Sequence, residues 1–421
     1  MPLSLDRVFA TAIDLGMSVF HYRCTDCRRS FARGEVRYLC PRCGGAWRPG
    51  RPLDGVLEAV FDYRRIAWEF DPHNPDWSLF SAVETEFYPQ YRAGNTPLAP
   101  AGLLGRELGF DRLHVKNDAL NPSGSLKDRA SLLVVAEAVR LGEESIVTAS
   151  TGNAASALAA VCAAAGRRAI VFTPASAPKA KLVQTMLCGA TLVPVCGTYD
   201  DAFRLSLEYT QERGGLNRNT AYHPLTIEGK KTAALEIWAQ LGFRAPDAVI
   251  VPCGDGVILG GVYKGFRDLR EAGLIEKWPR LICAQAESSS AISRYVATGE
   301  FRSAEAPSTI ADSISVSVPS NAHMARRAVS ESGGFCVSVS DSEILEAQAL
   351  LARTTGIYSE PAAAATVAAL SRCRGRLEAD QVIVLLITGH GLKDVAASLG
   401  RITLPEPIEP VLQAAVDRIG R

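Results

Sequence analysis

The chain carries no excess charge of either sign, since 45 lysines and arginines face 45 aspartates and glutamates. A whole-chain electrostatic footprint for nucleic acid or acidic lipid is therefore missing, and neither is expected as a partner. No apolar run approaches the ~18 residues of a membrane helix. The best, Val382–Ile387, reads as a buried strand, so no membrane partner is expected either. The N-terminal stretch has acids at Asp6 and Asp14 and no unbroken apolar segment, so it lacks a signal-peptide pattern. Internal repeats and low-complexity tracts are also absent. These absences point to a soluble, cytoplasmic protein.

What is present is ordinary globular composition. Hydrophobic residues make up 47% and charged residues 21%, which excludes wholesale disorder. At ~150 residues per domain, the length suggests two or three domains. Cysteines number 11, of which Cys24, Cys27, Cys40 and Cys43 sit together. The scattered remainder, such as Cys162 in AAVCAAAG and Cys283 in RLICAQA, lies in apolar or small-residue surroundings that suit a reducing cytosol.

The clustered four read Cys24-x2-Cys27-x12-Cys40-x2-Cys43. Two C-x-x-C knuckles place four thiolates around one ion, and Zn²⁺ favours that closed, soft set, with no open position for catalysis. Redox pairs or unmetallated thiols are the alternative. Arg23, Arg28, Arg29, Arg33, Arg37 and Arg42 make this module basic, but a solvated or inter-subunit face explains that better than nucleic acid in a neutral chain.

From Arg51 to about Gly94 the chain is aromatic-rich and irregular and reads as a wrapping connector. From Asn95 to about Gly400, short apolar runs alternate with helical stretches. The expected strands are Leu113–Lys116, Ser145–Ala149, Ala169–Phe172, Thr191–Val195, Ala248–Val251, Arg280–Ala284 and Val382–Thr388. Ala154–Ala165 and Pro361–Ser371 are among the expected helices. This alternation predicts βαβ crossovers and a mainly parallel, helix-covered α/β architecture.

Ligands in such folds bind at the carboxyl ends of the strands. Four segments fall there: Asn121–Lys127, Ser150-Thr151-Gly152-Asn153, Gly254-Asp255-Gly256 and Thr388-Gly389-His390-Gly391. Rich in glycine, hydroxyls and amides, they suit a phosphate-bearing cofactor held largely by backbone N–H groups. Lys127 opens a predicted helix, where the macrodipole lowers its pKa and favours the neutral amine that Schiff-base chemistry requires. Taken alone, this loop fits a surface lysine better than a catalytic one. The run Gly254-x-Gly256-x-x-x-Gly260-Gly261 has Leu259 where a dinucleotide fingerprint needs its third glycine, which argues against a dehydrogenase. Ser176-Ala-Pro-Lys179 matches S-x-x-K without the accompanying S-D-N or K-T-G, so a penicillin-binding reading is discarded. For His390, a capping or packing role stands beside an acid/base or substrate-phosphate role.

Read in order, these segments resemble the threonine synthases among the fold-type II pyridoxal phosphate enzymes. Asn121-Pro-Ser-Gly-Ser-Leu-Lys127-Asp-Arg129 is similar to that family's N-P-x-G-S-F-K-D-R, and Gly94-Asn-Thr-Pro-Leu98 to its G-x-T-P-L. Ser150–Asn153 is similar to its asparagine loop, and Thr388–Asp394 to the C-terminal signature. Ser359-Glu360-Pro361, Thr309–Asp312 and the cysteine ribbon also fit.

The resemblance implies an α/β, tryptophan synthase β-like fold with mainly parallel sheets in two domains plus a small N-terminal zinc ribbon. The ribbon would span 20–50, the large pyridoxal phosphate-binding domain 51–130 and 223–421, and the small α/β domain 131–222. It implies that Lys127 bears the cofactor and, once released by substrate, shuttles protons between carbons. Asn153 would bond the ring hydroxyl, the loop Gly254, Asp255, Gly256, Val257, Ile258 and Leu259 the phosphate, and Thr388 the pyridine nitrogen. A neutral hydroxyl at that nitrogen does not enforce a protonated ring.

The implied reaction is γ-elimination of phosphate from O-phospho-L-homoserine and β-addition of water, giving L-threonine. The alternatives are β-elimination or β-replacement on another amino acid (cysteate synthase-like or deaminase-like), or a non-catalytic binding or regulatory protein. A phosphorylated amino acid needs further cations, for which Arg129 and Lys181 come first, then Lys116 and Lys179, with Ser150 and Thr151 as donors to the substrate. A homodimer is the family expectation.

The sequence also departs from the family. Leu126 replaces the usual phenylalanine, Ala154 and Ala155 follow Asn153 where hydroxyl residues are common, and Phe87–Ala93 lacks the usual S-x-G-E lead-in. Asp255 stands where asparagine is usual, and a carboxylate there should point away from a phosphate or pair with a cation.

Overall fold

The computed structural model describes residues 20–45, 48–399 and 402–420. The N-terminal stretch with Asp6 and Asp14, residues 46 and 47 of the expected ribbon module, and Gly400 lie outside the described residues.

Thirteen strands follow one another along the described residues. They are β1 (Phe20–Cys24), β2 (Ser30–Phe31), β3 (Leu57–Phe61), β4 (Leu98–Pro100), β5 (Arg112–Asn117), β6 (Ser145–Ala149) and β7 (Arg168–Pro174). Then come β8 (Thr191–Val195), β9 (Leu216–Asn217), β10 (Ala248–Pro252), β11 (Arg280–Ala286), β12 (Phe335–Val339) and β13 (Val382–Ile387). They form three sheets, in the orders β2-β1-β3, β12-β11-β10-β13-β5-β4 and β8-β7-β6-β9.

The six-stranded sheet is parallel except for β4, which joins antiparallel at the edge, where Pro100 costs no ladder bond. The four-stranded sheet is parallel throughout. Helices cover both faces of the larger sheet, so its central strands read as unbroken apolar runs: AVIVP in β10 and VIVLLI in β13, buried almost end to end. The alanine-rich helix Pro361–Ser371 is buried along nearly its whole length against that sheet.

Of the strands that were not anticipated, two bear on the reading. β12 falls in FCVSV, too short and too weakly apolar to stand out from its surroundings. β3 lies inside the stretch read as an irregular connector and pairs antiparallel with β1, so the ribbon's sheet runs past residue 50.

β3 also carries the ribbon into the main core. Phe20, Tyr22, Phe31, Leu57 and Phe61 pack there with residues of helices Leu225–Gln240 and Val257–Glu271. A buried ion network crosses the same boundary. Glu58 of β3 meets Arg23 at 3.0 Å and Arg267 at 2.6 Å. Lys231 meets Glu228 at 2.7 Å and Asp268 at 3.0 Å, and its ammonium lies 3.8 Å from the Phe61 ring centroid. Among the described residues no helix is long and apolar enough to cross a membrane.

Candidate active site

The strand ends of the two parallel sheets face a cleft of about 560 Å³. Helix Lys127–Leu141 begins at its floor, with no side chain capping the N-terminus. The preceding loop is held by backbone bonds to the segment after β13: Leu126 N–H donates to the Thr388 carbonyl at 2.9 Å, and His390 N–H to the Gly124 carbonyl at 3.0 Å. Gly124 sits at φ +86°, a conformation that favours glycine. Asp128 accepts from the Ser123 N–H at 2.8 Å and from the Tyr91 hydroxyl at 2.8 Å, closing the loop from below. Leu126, where the family has phenylalanine, is fully buried.

Lys127 lines the cleft. Desolvation pushes its pKa down, while Glu360 and Asp255 act in the opposite direction. The direction agrees with the expected neutral amine.

Asn153 opens helix Asn153–Ala165 across the cleft, and its Nδ2 donates to Glu360 Oε2 at 2.9 Å. Glu360 immediately precedes Pro361 at the start of its helix, and Ser313 Oγ reaches the same carboxylate oxygen at 3.2 Å. Burial raises the Glu360 pKa against the lowering effect of the Asn153 amide. Ser150 Oγ accepts from the Gly152 and Ala155 N–H groups at 3.2 and 3.3 Å, and so helps to hold the start of that helix.

The loop after β10 is shaped by close approach. A Cβ on Gly254 would fall 2.9 Å from Ile314 Cα. Gly256 has φ +82°, and a Cβ there would fall 2.9 Å from Ala325 Cβ. Gly256 is the N-cap of helix Val257–Glu271, and no side chain caps it. The first N–H groups of a helix have no intrahelical partner and favour an anion. The Asp255 carboxylate receives the Ser320 N–H at 3.4 Å and acts electrostatically on Lys127.

The expected residues sort plainly. Lys127, Ser150, Thr151, Asn153, Gly254, Asp255, Gly256, Val257, Ile258 and Thr388 line the one cleft. Leu259 has its side chain buried in the core and offers the cleft at most its N–H. Lys181 lines an adjoining hollow of about 370 Å³ that shares Gly152, Asn153, Asp312, Ser313 and Glu360 with the cleft. Its Nζ meets Asp312 at 2.7 Å and Asp394 at 3.5 Å.

Arg129 and Lys116 are not brought to the cleft, which corrects the expectation that they serve as substrate cations. Arg129 pairs with Asp118 and Glu236, both at 2.6 Å, and Lys116 with Glu236 at 2.6 Å. Both cations are buried and fully engaged. Arg129 follows Lys127 by two residues, roughly 200° around a helix, so the two cannot share a face. His390 Nδ1 accepts from the Leu392 N–H at 3.1 Å, which gives the capping role.

Among the cleft residues with no role assigned from the sequence are Glu360 and Lys230. The signal for Glu360 was an acid just before a proline and an alanine-rich helix. For Lys230 it was a Glu-Gly-Lys-Lys run inside an otherwise apolar helix.

Away from the cleft, the sulfurs of Cys24, Cys27, Cys40 and Cys43 all lie within 4.8 Å of one another. The chain around them is closely packed, since a Cβ on Gly55 (φ +72°) would fall 2.5 Å from Gly44 N.

Comparison with known proteins places this geometry. Residues 90–389 match the family described as pyridoxal-phosphate dependent enzyme. The chain is 34% identical over 386 residues to the threonine synthase of Methanosarcina acetivorans, covering 89% of this chain and 93% of that one. It is 35% identical over 413 residues to the threonine synthase of Methanocaldococcus jannaschii, covering 92% and 96%. Among solved structures, a threonine deaminase from T.th. superposes with a TM-score of 0.62 at 27% identity, over 74% of this chain and 94% of that one. A fungal L-serine ammonia-lyase from Rhizomucor miehei gives 0.63 at 25%, over 74% and 98%.

Proposed function

Because the chain belongs to the pyridoxal-phosphate dependent enzymes, and within them to the threonine synthase family, we propose that its cleft converts O-phospho-L-homoserine and water into L-threonine and inorganic phosphate. One observation carries the reading. A desolvated lysine amine, a glycine-shaped helix N-terminus and a strand-end hydroxyl face a single cleft in a chain that matches threonine synthases over nearly its whole length.

The residues fit the cofactor. Lys127 would bear it, Gly254–Ile258 would hold its phosphate through N–H groups, Asn153 would meet the ring hydroxyl and Thr388 the ring nitrogen. When bound, pyridoxal phosphate supplies an electron sink that acidifies the carbons next to the substrate amine.

The chain's own residues do the rest. Burial keeps Lys127 Nζ able to take protons from the substrate Cα and then Cβ, so that phosphate leaves Cγ with the electron pair of its C–O bond, and to return protons to Cγ and Cα. Water then adds at Cβ, and one phosphate is released per threonine formed. Thr388, buried just past the end of β13, is neutral and would not enforce a protonated ring nitrogen. Glu360 fixes the Asn153 amide. Lys181, which lines the adjoining hollow, is the proposed cation for the substrate phosphate once it exchanges Asp312 for that dianion. Thr151 is the proposed donor to the substrate carboxylate, with Ser150 holding the helix that follows it.

The four-thiol cluster is proposed to hold one structural Zn²⁺, supported by soft ligands in a closed set. The proposed divisions are the ribbon, the large domain built on the six-stranded sheet, and the small domain built on the four-stranded sheet. A homodimer is proposed from the family, and the exposed apolar side chains of Leu404, Leu412 and Ile419 are compatible with a second copy. A cytoplasmic location is proposed from the seven cysteines outside the cluster, all free thiols.

Product analysis tests the reaction. With O-phosphohomoserine, threonine and phosphate should appear in equal amounts. Turnover of O-phosphoserine instead, or release of keto acid and ammonia, favours the same-fold β-elimination reading.

A further inference from the structure

Helix Leu225–Gln240 carries charge inside the core, and its neighbouring charges face different ways. Glu228 and Lys231 turn toward the ribbon and pair with each other, and Lys231 also meets Asp268. Lys230 turns toward the cleft. It is 1% exposed, and its Nζ has no hydrogen-bond partner among the described residues. An ammonium left unpaired at that depth costs several kcal/mol.

Its surroundings define what it lacks. Lys127, Arg218 and Asp255 are the charged groups that act on it, two cations and one acid. Lys127 is committed to its own chemistry. Arg218 lies behind the cleft wall and donates to the Ser131 and Thr220 hydroxyls at 3.2 Å. Besides Lys127, Lys230 is the cation that lines the cleft, and its amine has no hydrogen-bond partner there. Burial pushes its pKa well down, and a dianion alongside would reverse that direction.

Position supplies the second half. The helix bearing Lys230 packs against helix Val257–Glu271 as closely as glycine permits, for a Cβ on Gly261 would fall 2.6 Å from Lys230 Cβ. Lys230 thus rises beside the first turn whose N–H groups are uncapped. Asp255 lies in the same loop, an acid where a phosphate must come.

We propose that Lys230 Nζ is a direct ligand of the cofactor's phosphate monoester, the charged complement to the N–H groups of Gly254–Ile258, and that it offsets Asp255. The inference rests on the cofactor reading above. It makes phosphate recognition here part side chain, where backbone alone would otherwise serve.

The test compares two aldehydes, pyridoxal phosphate and pyridoxal, which lacks the phosphate. Their affinities are measured by absorbance titration of the apoprotein, for the parent chain and for Lys230→Met and Lys230→Arg, with borohydride trapping to show that each aldehyde sits on Lys127. A charge-assisted bond lost from the phosphate weakens pyridoxal phosphate on the order of 10- to 100-fold in Lys230→Met. Pyridoxal should bind both proteins alike, and Lys230→Arg should recover part of the loss. Lys230→Met also removes an unpartnered buried amine, so its apoprotein should melt no lower than the parent.

An unchanged preference for pyridoxal phosphate over pyridoxal in Lys230→Met overturns the proposal, even if turnover falls, because the lysine would then act on protons or packing. A lower melting point with equal loss of both aldehydes overturns it as well. Failure of the parent chain to trap either aldehyde on Lys127 is a different result, which removes the cofactor reading itself.

Discussion

Asn153 gives an amide proton to Glu360 across the cleft, Nδ2 to Oε2 at 2.9 Å, and thereby ties the small sheet's first ligand-facing helix to the wall beneath the large sheet. The acid is buried, and a Cβ on Gly389 would run into it, so it has one place to be.

Burial raises the Glu360 pKa, which sets a sign for its effect on stability. In the window between the unfolded and folded values the native state binds more protons, so stability falls as pH rises through that window. Glu360→Gln should flatten this part of the apoprotein's stability curve and gain stability near neutral pH. Glu360→Ala should instead free the Asn153 amide and weaken cofactor binding. Melting temperature against pH, with absorbance titration, checks both.

The Arg129–Glu236–Lys116 group predicts acid sensitivity of the opposite kind. Against the desolvation that raises it, the guanidinium of Arg129 and the ammonium of Lys116 hold Glu236 down at about 2. Its contribution is therefore present above the ordinary carboxylate value and lost as pH falls toward 2. Arg129→Met should cost about 3–5 kcal/mol in urea unfolding, because it strands Asp118 and Glu236. The ratio of products should stay as in the parent.

One Zn²⁺ per chain is expected by elemental analysis, with four thiols that react only after chelation. Removing it, or substituting Cys40→Ser, should lower the melting temperature. β1 and β3 pack on the two helices that flank the cofactor site, so a weaker affinity for pyridoxal phosphate should accompany the loss. A chelator that changes neither quantity contradicts a structural metal.

Lys181→Ala separates substrate phosphate from cofactor phosphate. It should raise KM for O-phosphohomoserine about tenfold, as expected for a lost charge-assisted bond. The absorbance of the bound cofactor should not change. Steady-state kinetics and a spectrum on the same sample read both.

Much of this was legible in the sequence because the central parallel strands are buried on both faces and so announce themselves as apolar runs. Ser145–Ala149 and Thr191–Val195 match to the residue, and Val382–Thr388 overshoots by one. The loops after them follow from topology. What could not be read was direction. Adjacent lysines on one helix, Lys230 and Lys231, point into different environments, and Lys116 and Arg129 sit in the right segments yet face buried acids. β3 hid because a strand completing a ribbon's sheet needs a partner far away in sequence, Phe20–Cys24.

Every role proposed for the cleft depends on a covalent link between Lys127 and pyridoxal phosphate. Reducing the holoprotein with borohydride, digesting it and mapping the peptides by mass spectrometry reads that link directly. A single reduced pyridoxyl adduct is predicted, on Lys127, and it should disappear in Lys127→Ala. An adduct on Lys230 or Lys181 instead, or no adduct on a protein that still forms threonine, would contradict it.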